Sequence, residues 1–273
     1  MAQLYELSNH PERHYQKAAI PKKSGGTRTL WIPDSELACV QRRILHQILE
    51  QRPVSFHAAA YRKGFQLRTH ALCHQGKNMV VKLDIHDFFG QISWIQVYQK
   101  AFPWYLFPPE VRNLLTNLCC FREMLPQGAP TSSAISNLVM FSFDESMGSW
   151  CEERGISYTR YCDDMTFSGD MDPGMVIRKV SAYLEKMGFS QNRKKTGVYT
   201  RGTRQEVTGL TVNEKVQVSG AYRKKIRQEW YYCKKYGVKN HLERTGIREE
   251  PQDYLGKLMG KVQYILQIDP KNE

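Results

Sequence analysis

The sequence contains no C-x-x-C pair. Its seven cysteines, Cys39, Cys73, Cys119, Cys120, Cys151, Cys162 and Cys233, are odd in number. That pattern argues against a zinc ligand set and against a disulfide framework, and it suits a reducing, cytoplasmic compartment. Long apolar runs are also missing. No stretch approaches the length of a membrane span, and the segment MAQLYELSNHPERHYQK has no apolar run after its charges, so neither a signal peptide nor a membrane partner is expected. Internal repeats and low-complexity linkers are absent as well. Acidic residues are in short supply: 27 Asp and Glu stand against 39 Lys and Arg, a net charge of +12. A folded chain this basic faces a polyanion, and nucleic acid is the first candidate.

What is present is enough for a sizeable core. Of 273 residues, 41% are hydrophobic, which fits one large domain or two or three packed subdomains. Residues 20–33 read as a β-hairpin with a turn at Ser24-Gly25-Gly26 and a basic tip of Lys22, Lys23 and Arg28. Apolar residues at helical spacing predict a helix over 35–50 and another over 134–150. Residues 78–85 read as a buried strand, 93–101 as a helix, and 156–168 as two short strands around an Asp-Asp turn. Asp172-Pro173 has the form of a cap and first-turn proline, with Gly188 as the stop. Residues 206–218 read as a hairpin. From Ala221 onward the pattern is helical and basic, with Tyr222, Ile226, Trp230 and Cys233 on one face. The sum is an α+β chain: strands in the middle, helices behind them, a basic helical end.

The chemistry concentrates in carboxylates. Tyr161-Cys162-Asp163-Asp164 places two acids in a tight turn between apolar strands. Their like charges repel and their apolar neighbours penalise ionisation, and a divalent cation resolves both problems. Magnesium takes hard oxygen ligands of this kind. A solvated Asp-Asp turn is the plain alternative. Asp84 shifts the balance, because it ends the apolar run Val80-Val81-Lys82-Leu83. A strand-end acid brought beside the turn acids makes a two-metal site, in which ions ~3.5–4 Å apart stabilise attacking and leaving oxygens. Asp87 reads as a solvated or capping residue. The loop LPQGAPTSS, 125–133, is small-residue and tight.

In this order, LDIHDFF, LPQGAPTSS and YCDD resemble the palm motifs of reverse transcriptases. The similarity extends to the fingers hairpin at 22–30 and to GFSQNRKKT at 188–196. LPQGAPTS, Val207-Thr208-Gly209 and His70-Ala71-Leu72-Cys73-His74 resemble elements of the bacterial retron type. Here His70 stands where that type has Asn, and Ser133 where it has Pro. The resemblance implies a right-hand polymerase, with fingers and a palm of antiparallel sheet backed by helices over 1–218 and a helical thumb over 219–273. It implies two Mg2+ ions on Asp84, Asp163 and Asp164, with the Ile85 carbonyl as a further ligand. It also implies Lys195 as general acid, with Lys194 as the rival. Phe89 becomes the sugar gate, with Phe88 a core residue. Gln127 would lie along the nucleotide, and Lys22, Lys23 and Arg28 would grip the triphosphate of a dNTP. RNA contacts fall to His70, His74, Val207, Thr208 and Gly209, and to Arg223, Lys224 and Arg227 of the basic helix; for the two histidines, a packed or surface role stays open. The implied partners are a structured noncoding RNA of msr–msd type, its cDNA and an effector protein in antiphage defence. Another class of reverse transcriptase and a catalytically silent RNA-binding scaffold remain the alternatives.

Overall fold

The computed structural model describes residues 2–21 and 25–271. The chain begins with α1 (Ala2–Asn9) and a hairpin of β1 (Tyr15–Pro21) and β2 (Thr27–Pro33), paired antiparallel with Tyr15 opposite Pro33 and Pro21 opposite Thr27. The expected hairpin is therefore present and five residues longer at its N-terminal end. Lys22 and Lys23 lie outside the described residues. Asp34 caps α2 (Ser35–Gln47) by accepting from the Leu37 N–H at 2.9 Å. Gln41, fully buried on this helix, donates to the Tyr15 hydroxyl and the Leu118 carbonyl, both at 2.8 Å. The hairpin base is thus tied to the fold by polar bonds as well as by Tyr15 and Trp31 on Phe121.

After α3 (Leu67–Leu72) come β3 (Met79–Asp84), the short helices α4 (Phe88–Gln91) and α5 (Trp94–Gln96), and α6 (Pro109–Cys119). A π-helical turn, Val97–Ala101, continues α5. The long helix α7 (Ser132–Glu152) precedes the hairpin β4 (Ser157–Tyr161) and β5 (Asp164–Gly169). Ile135, Leu138, Val139 and Met147 of α7 are buried, as their spacing predicts. Asp172 caps α8 (Pro173–Lys186), accepting from the N–H groups of Gly174 and Met175. The strand β6 (Gly197–Thr200) completes an antiparallel sheet of order β4-β5-β3-β6. Helices α7 and α8 supply the apolar layer against it, in one core with Val81, Leu83, Met165 and Phe167.

Where one hairpin is expected at 206–218, three two-residue strands form a meander: β7 (Glu206–Val207), β8 (Leu210–Thr211) and β9 (Gln217–Val218). Three helices follow, α9 (Gly220–Tyr236), α10 (Val238–Thr245) and α11 (Pro251–Ile268). Ile226 and Cys233 are buried on α9, whereas Trp230 is exposed, because the helix packs through a narrower stripe than its sequence suggests. A second core joins these helices to Val207, Leu210, Val212, Val216 and Val218, and also to Ala71 of α3 and Val80 of β3. It therefore crosses the 218/219 boundary expected from the sequence.

Helix α3 is the strut between the two cores. His70 and His74, one turn apart, both reach the Thr159 hydroxyl of β4, at 2.6 and 2.7 Å. His74 also meets the Ser168 hydroxyl of β5 at 2.7 Å. Both side chains are buried, which corrects the expectation that they face RNA. On the other side, Arg68 donates to the Ile268 carbonyl, and the Gly76 N–H to the Val212 carbonyl.

Burial pushes the imidazole pKa of His70 down to about 4, helped by Lys82, and that of His74 to about 3, helped by His70 and Lys77. The unfolded value is near 6.5, so the stabilisation is complete above that pH and is lost as pH falls toward 4. Urea midpoints should therefore drop between pH 6.5 and pH 4.5, each histidine contributing up to ~1.4 kcal/mol per pH unit. His74→Gln should flatten that slope; an unchanged slope would show that these rings do not carry it.

Candidate active site

The acids meet because of strand register. Asp84, the last residue of β3, is the Cα partner of Asp164, the first residue of β5. One residue further on, the Ile85 N–H donates to the Asp163 carbonyl at 3.1 Å. A shift of register by one residue would send alternate side chains to the opposite face and separate the carboxylates. Asp84 is only 2% exposed. Asp163 and Asp164 are half-buried.

The turn that carries Asp163 is under backbone constraint. Cys162 takes φ 59°, a left-handed value that costs a non-glycine residue ~1–2 kcal/mol. Three contacts hold it. Its carbonyl accepts from Arg160 Nη1 at 2.8 Å, its thiol meets the Tyr61 hydroxyl at 3.3 Å, and its side chain is buried. Burial, with the charge of Asp163 second, pushes the thiol up to about 11, so Cys162 stays a neutral packing group.

Arg160 is itself fully buried, and so is its partner Asp144 on α7. Nε and Nη2 donate to the two carboxylate oxygens at 2.8 and 2.6 Å, a bidentate pair, and Nη2 also reaches Asn137 Oδ1 at 3.2 Å. Burial alone would disfavour the charge, but Asp144 more than offsets it and raises the guanidinium pKa. Sequence reasoning passed over this arrangement. Its one signal is an Arg in phase with Tyr158 on an otherwise apolar strand face.

Asp84 has its own partners. Asn192 Nδ2 donates to Oδ1 at 2.9 Å and Lys195 Nζ to Oδ2 at 2.7 Å. The Asn192 N–H also meets the Asp84 carbonyl at 2.8 Å, which fixes the short turn Arg193–Lys195 against the end of β3. Lys195, not Lys194, therefore reaches the acids; Lys194 lies exposed. Partial burial works against the Lys195 charge, but the hydrogen bond to Asp84 and the field of all three acids outweigh it and raise its pKa. Asn192 is a further residue that the sequence reading left unassigned, although it sits inside the quoted GFSQNRKKT string.

The other expected residues divide. Phe88 is in the core and Phe89 is half-buried beside it, the rings 5.5 Å apart. The Gln127 carbonyl accepts from the Trp31 N–H at 2.8 Å, so the 125–133 loop docks on the β1–β2 hairpin. Gly128 permits this: at φ 122° a Cβ there would lie 2.9 Å from the Trp31 carbonyl oxygen. Arg28 is exposed on β2 opposite Ile20. Asp87 is exposed and stands at the N-cap position of α4 without a side-chain cap bond. Thr208 and Gly209, at φ 47° and 81°, form the turn between β7 and β8; Val207 is a core residue, so its side chain does not face a ligand. On α9, Arg223 is half-buried, and Lys224 and Arg227 are exposed.

A divalent ion fits the donor set. The ligand atoms are hard carboxylate oxygens, and burial followed by the charges of Asp163 and Asp84 pushes Asp164 up to about 6. Among the described residues no three His, Cys, Asp or Glu side chains already converge as a cage. The two oxygens of Asp84 are held by Asn192 and Lys195, and Asp84, Asp163 and Asp164 would hold the ion in place of the Lys195 contact.

Residues 20–257 match the family described as reverse transcriptase (RNA-dependent DNA polymerase). The retron Mx65 reverse transcriptase of Myxococcus xanthus is 32% identical over 278 residues, covering 95% of this chain and 62% of that protein. The retron Mx162 reverse transcriptase of the same organism is 34% identical, covering 73% of this chain and 47% of that protein. The retron Ec83 reverse transcriptase of Escherichia coli is 30% identical, covering 89% and 82%. The chain thus spans less than two thirds of the two Myxococcus relatives. Among solved structures, telomerase from Candida albicans with a fragment of telomeric RNA superposes with TM-score 0.54 at 12% identity, covering 93% of this chain and 56% of that one. That likeness is one of fold. Among the described residues no helix is long and apolar enough to cross a membrane.

As pH falls through about 6, Asp164 takes up a proton and the cluster loses that negative charge. Magnesium should therefore raise the melting temperature at pH 7.5 and do so much less at pH 5. Asp163→Asn combined with Asp164→Asn should remove the pH 7.5 increment. An equal magnesium increment in that variant, read by scanning calorimetry, would place the ion elsewhere.

Proposed function

The chain belongs to the reverse transcriptase family, within its retron group, and from that premise we propose that it is an RNA-directed DNA polymerase. It copies part of a structured noncoding RNA into a branched RNA–DNA hybrid, and its biological setting is antiphage defence with an effector protein. The observation that carries the reading is the register pairing of Asp84 with Asp164, with the Asp163 carbonyl one step away.

Two magnesium ions, when bound on Asp84, Asp163, Asp164 and the Ile85 carbonyl, would supply a lowered pKa at the primer hydroxyl and charge neutralisation at the triphosphate. The chain's own residues do the rest by position and charge. Lys195 holds Asp84 in the ion-free enzyme and, once released, carries a proton toward the leaving pyrophosphate. Asn192 keeps Asp84 oriented throughout, because it bonds the other oxygen and the backbone. Phe89 presents a flat ring that leaves no room for a 2′-hydroxyl. Arg28 meets phosphate through a planar fork of donors, with Lys22 and Lys23 beside it in the sequence. Gln127 reaches the nucleotide from a loop seated on the hairpin that bears Arg28. Lys224, Arg227 and Arg223 track duplex phosphates, a contact that is independent of sequence and weakens with salt. Thr208 and Gly209 offer an RNA contact at the tip of a tight turn.

Two outcomes test this reading. Asp163→Asn with Asp164→Asn should abolish magnesium-dependent dNTP incorporation on a primed RNA template while RNA binding persists, and residual synthesis at the wild-type rate would remove the assignment. Phe89→Ala should admit ribonucleotides, with discrimination against them falling at least tenfold in a competition assay; unchanged discrimination rejects Phe89 as the gate. Sequencing the nucleic acid that co-purifies, and finding a 2′–5′ branch in it, would separate the retron product from a linear one.

A further inference from the structure

A cavity of about 510 Å³ lies among α9, α10 and α11, within the ~300–1,000 Å³ range of small-ligand sites. None of its lining residues belongs to the carboxylate cluster. Its walls are rings. Tyr232 lies close to parallel with Tyr236 (6.1 Å, 29°) and with His241 (6.0 Å, 20°). Tyr254 closes the back, its hydroxyl 3.1 Å from His241 Nε2. Tyr232 and Tyr236 remain 37% and 40% exposed. Both rings therefore keep solvent contact where three helices meet, with Lys235 as well as Arg244 lying 5.2 Å from the Tyr236 centroid.

The charges around the cavity are arranged for an anion. Arg244 and Lys225, both exposed, line it. The Arg244 guanidinium sits 5.2 Å from the Tyr236 ring centroid and, among the described residues, makes no salt bridge. The one acid, Glu229, is compensated by Lys261 at 3.1 Å and Lys225 at 4.0 Å. A flat π ligand with a phosphate attached matches this set: stacking on the tyrosines, a charge-assisted bond to Arg244, and a carboxylate able to accept from a base N–H. Ring walls with a cation at the opening favour a nucleotide over an acyl chain or an apolar peptide, which would leave Arg244 without an anionic partner.

We infer that this cavity takes an unpaired nucleotide of a bound RNA, its base on Tyr232 and Tyr236 and its phosphate on Arg244. The inference rests on the chain being an RNA-handling polymerase. It adds a recognition point separate from the carboxylate cluster and from Arg223, Lys224 and Arg227 of α9. A double helix keeps its bases stacked inside, so only an unpaired or extruded base can enter; the cavity reads RNA secondary structure rather than duplex charge.

The test uses the full chain with an unlabelled template–primer duplex in excess to occupy the cleft. Binding of a labelled 12-nucleotide single-stranded RNA and of a 12-base-pair RNA duplex is then followed by anisotropy. Tyr236→Ala should weaken single-strand binding roughly tenfold and leave the duplex unaffected, and Tyr236→Phe should restore it. Arg244→Gln should weaken binding and lower the slope of log affinity against log salt by about one. Wild-type affinity in Tyr236→Ala, or an equal loss for the duplex, would overturn the inference. So would normal RNA binding with loss only of directly titrated ATP, since that marks a site for free nucleotides. Primer extension by the wild-type protein, measured in the same preparation, reports on the polymerase reading separately.

Discussion

A single buried cation holds the catalytic turn in place. Arg160 is fully buried and has four polar contacts: two to Asp144, one to Asn137 and one to the Cys162 carbonyl. Asp144 and Asn137 lie on α7, Cys162 lies in the strained turn, and Arg160 lies on the strand that leads into it. The helix behind the sheet and the acids at its edge are thereby made one rigid piece. Removing one partner of such a pair typically costs ~3–5 kcal/mol, because the other charge is stranded. The pair is therefore a poor place for variation, whatever its net contribution relative to an apolar substitute. The left-handed backbone at Cys162 persists because this contact, Tyr61 and the register of β5 over-determine it.

The acids at that edge are like charges, and the fold sets one of its own cations against them. Lys195 supplies an ammonium to Asp84, and Asn192 supplies an amide to the same carboxylate. Asp164, partly buried and beside Asp163 and Asp84, holds its proton more tightly than a free carboxyl. The site is thus pre-shaped in backbone and incomplete in charge. That combination explains how three acids can be held together without a cage of converging side chains.

Much of this was legible in the sequence, for physical reasons that can be named. Asp84 ends an apolar strand, Asp163 and Asp164 sit in a turn between two others, and the alternation of each segment fixes which way it faces. Asp172-Pro173 read correctly as a helix start because capping is local. What stayed hidden depends on partners distant in the chain. The sequence does not disclose the partner of Arg160, because Asp144 lies on a different element. His70 and His74 read as candidate ligand groups because the hydroxyls that bury them, Thr159 and Ser168, are more than 80 residues away. The strands β7, β8 and β9 are two residues each, too short for any period to register. Trp230 followed the helical spacing and still faces water, since the neighbours of α9 cover only part of its apolar stripe.

Helix α3 has a mechanical consequence. His70 on the helix and His74 just after it are bonded to the two strands flanking the acidic turn, His70 stacks at 18° on Tyr161, and the other flank is fastened to the last helix through Arg68 and to the β-meander through Gly76. The C-terminal helices and the acidic edge of the sheet thus share one short segment as a common beam, so a displacement of either is felt by the other through these bonds.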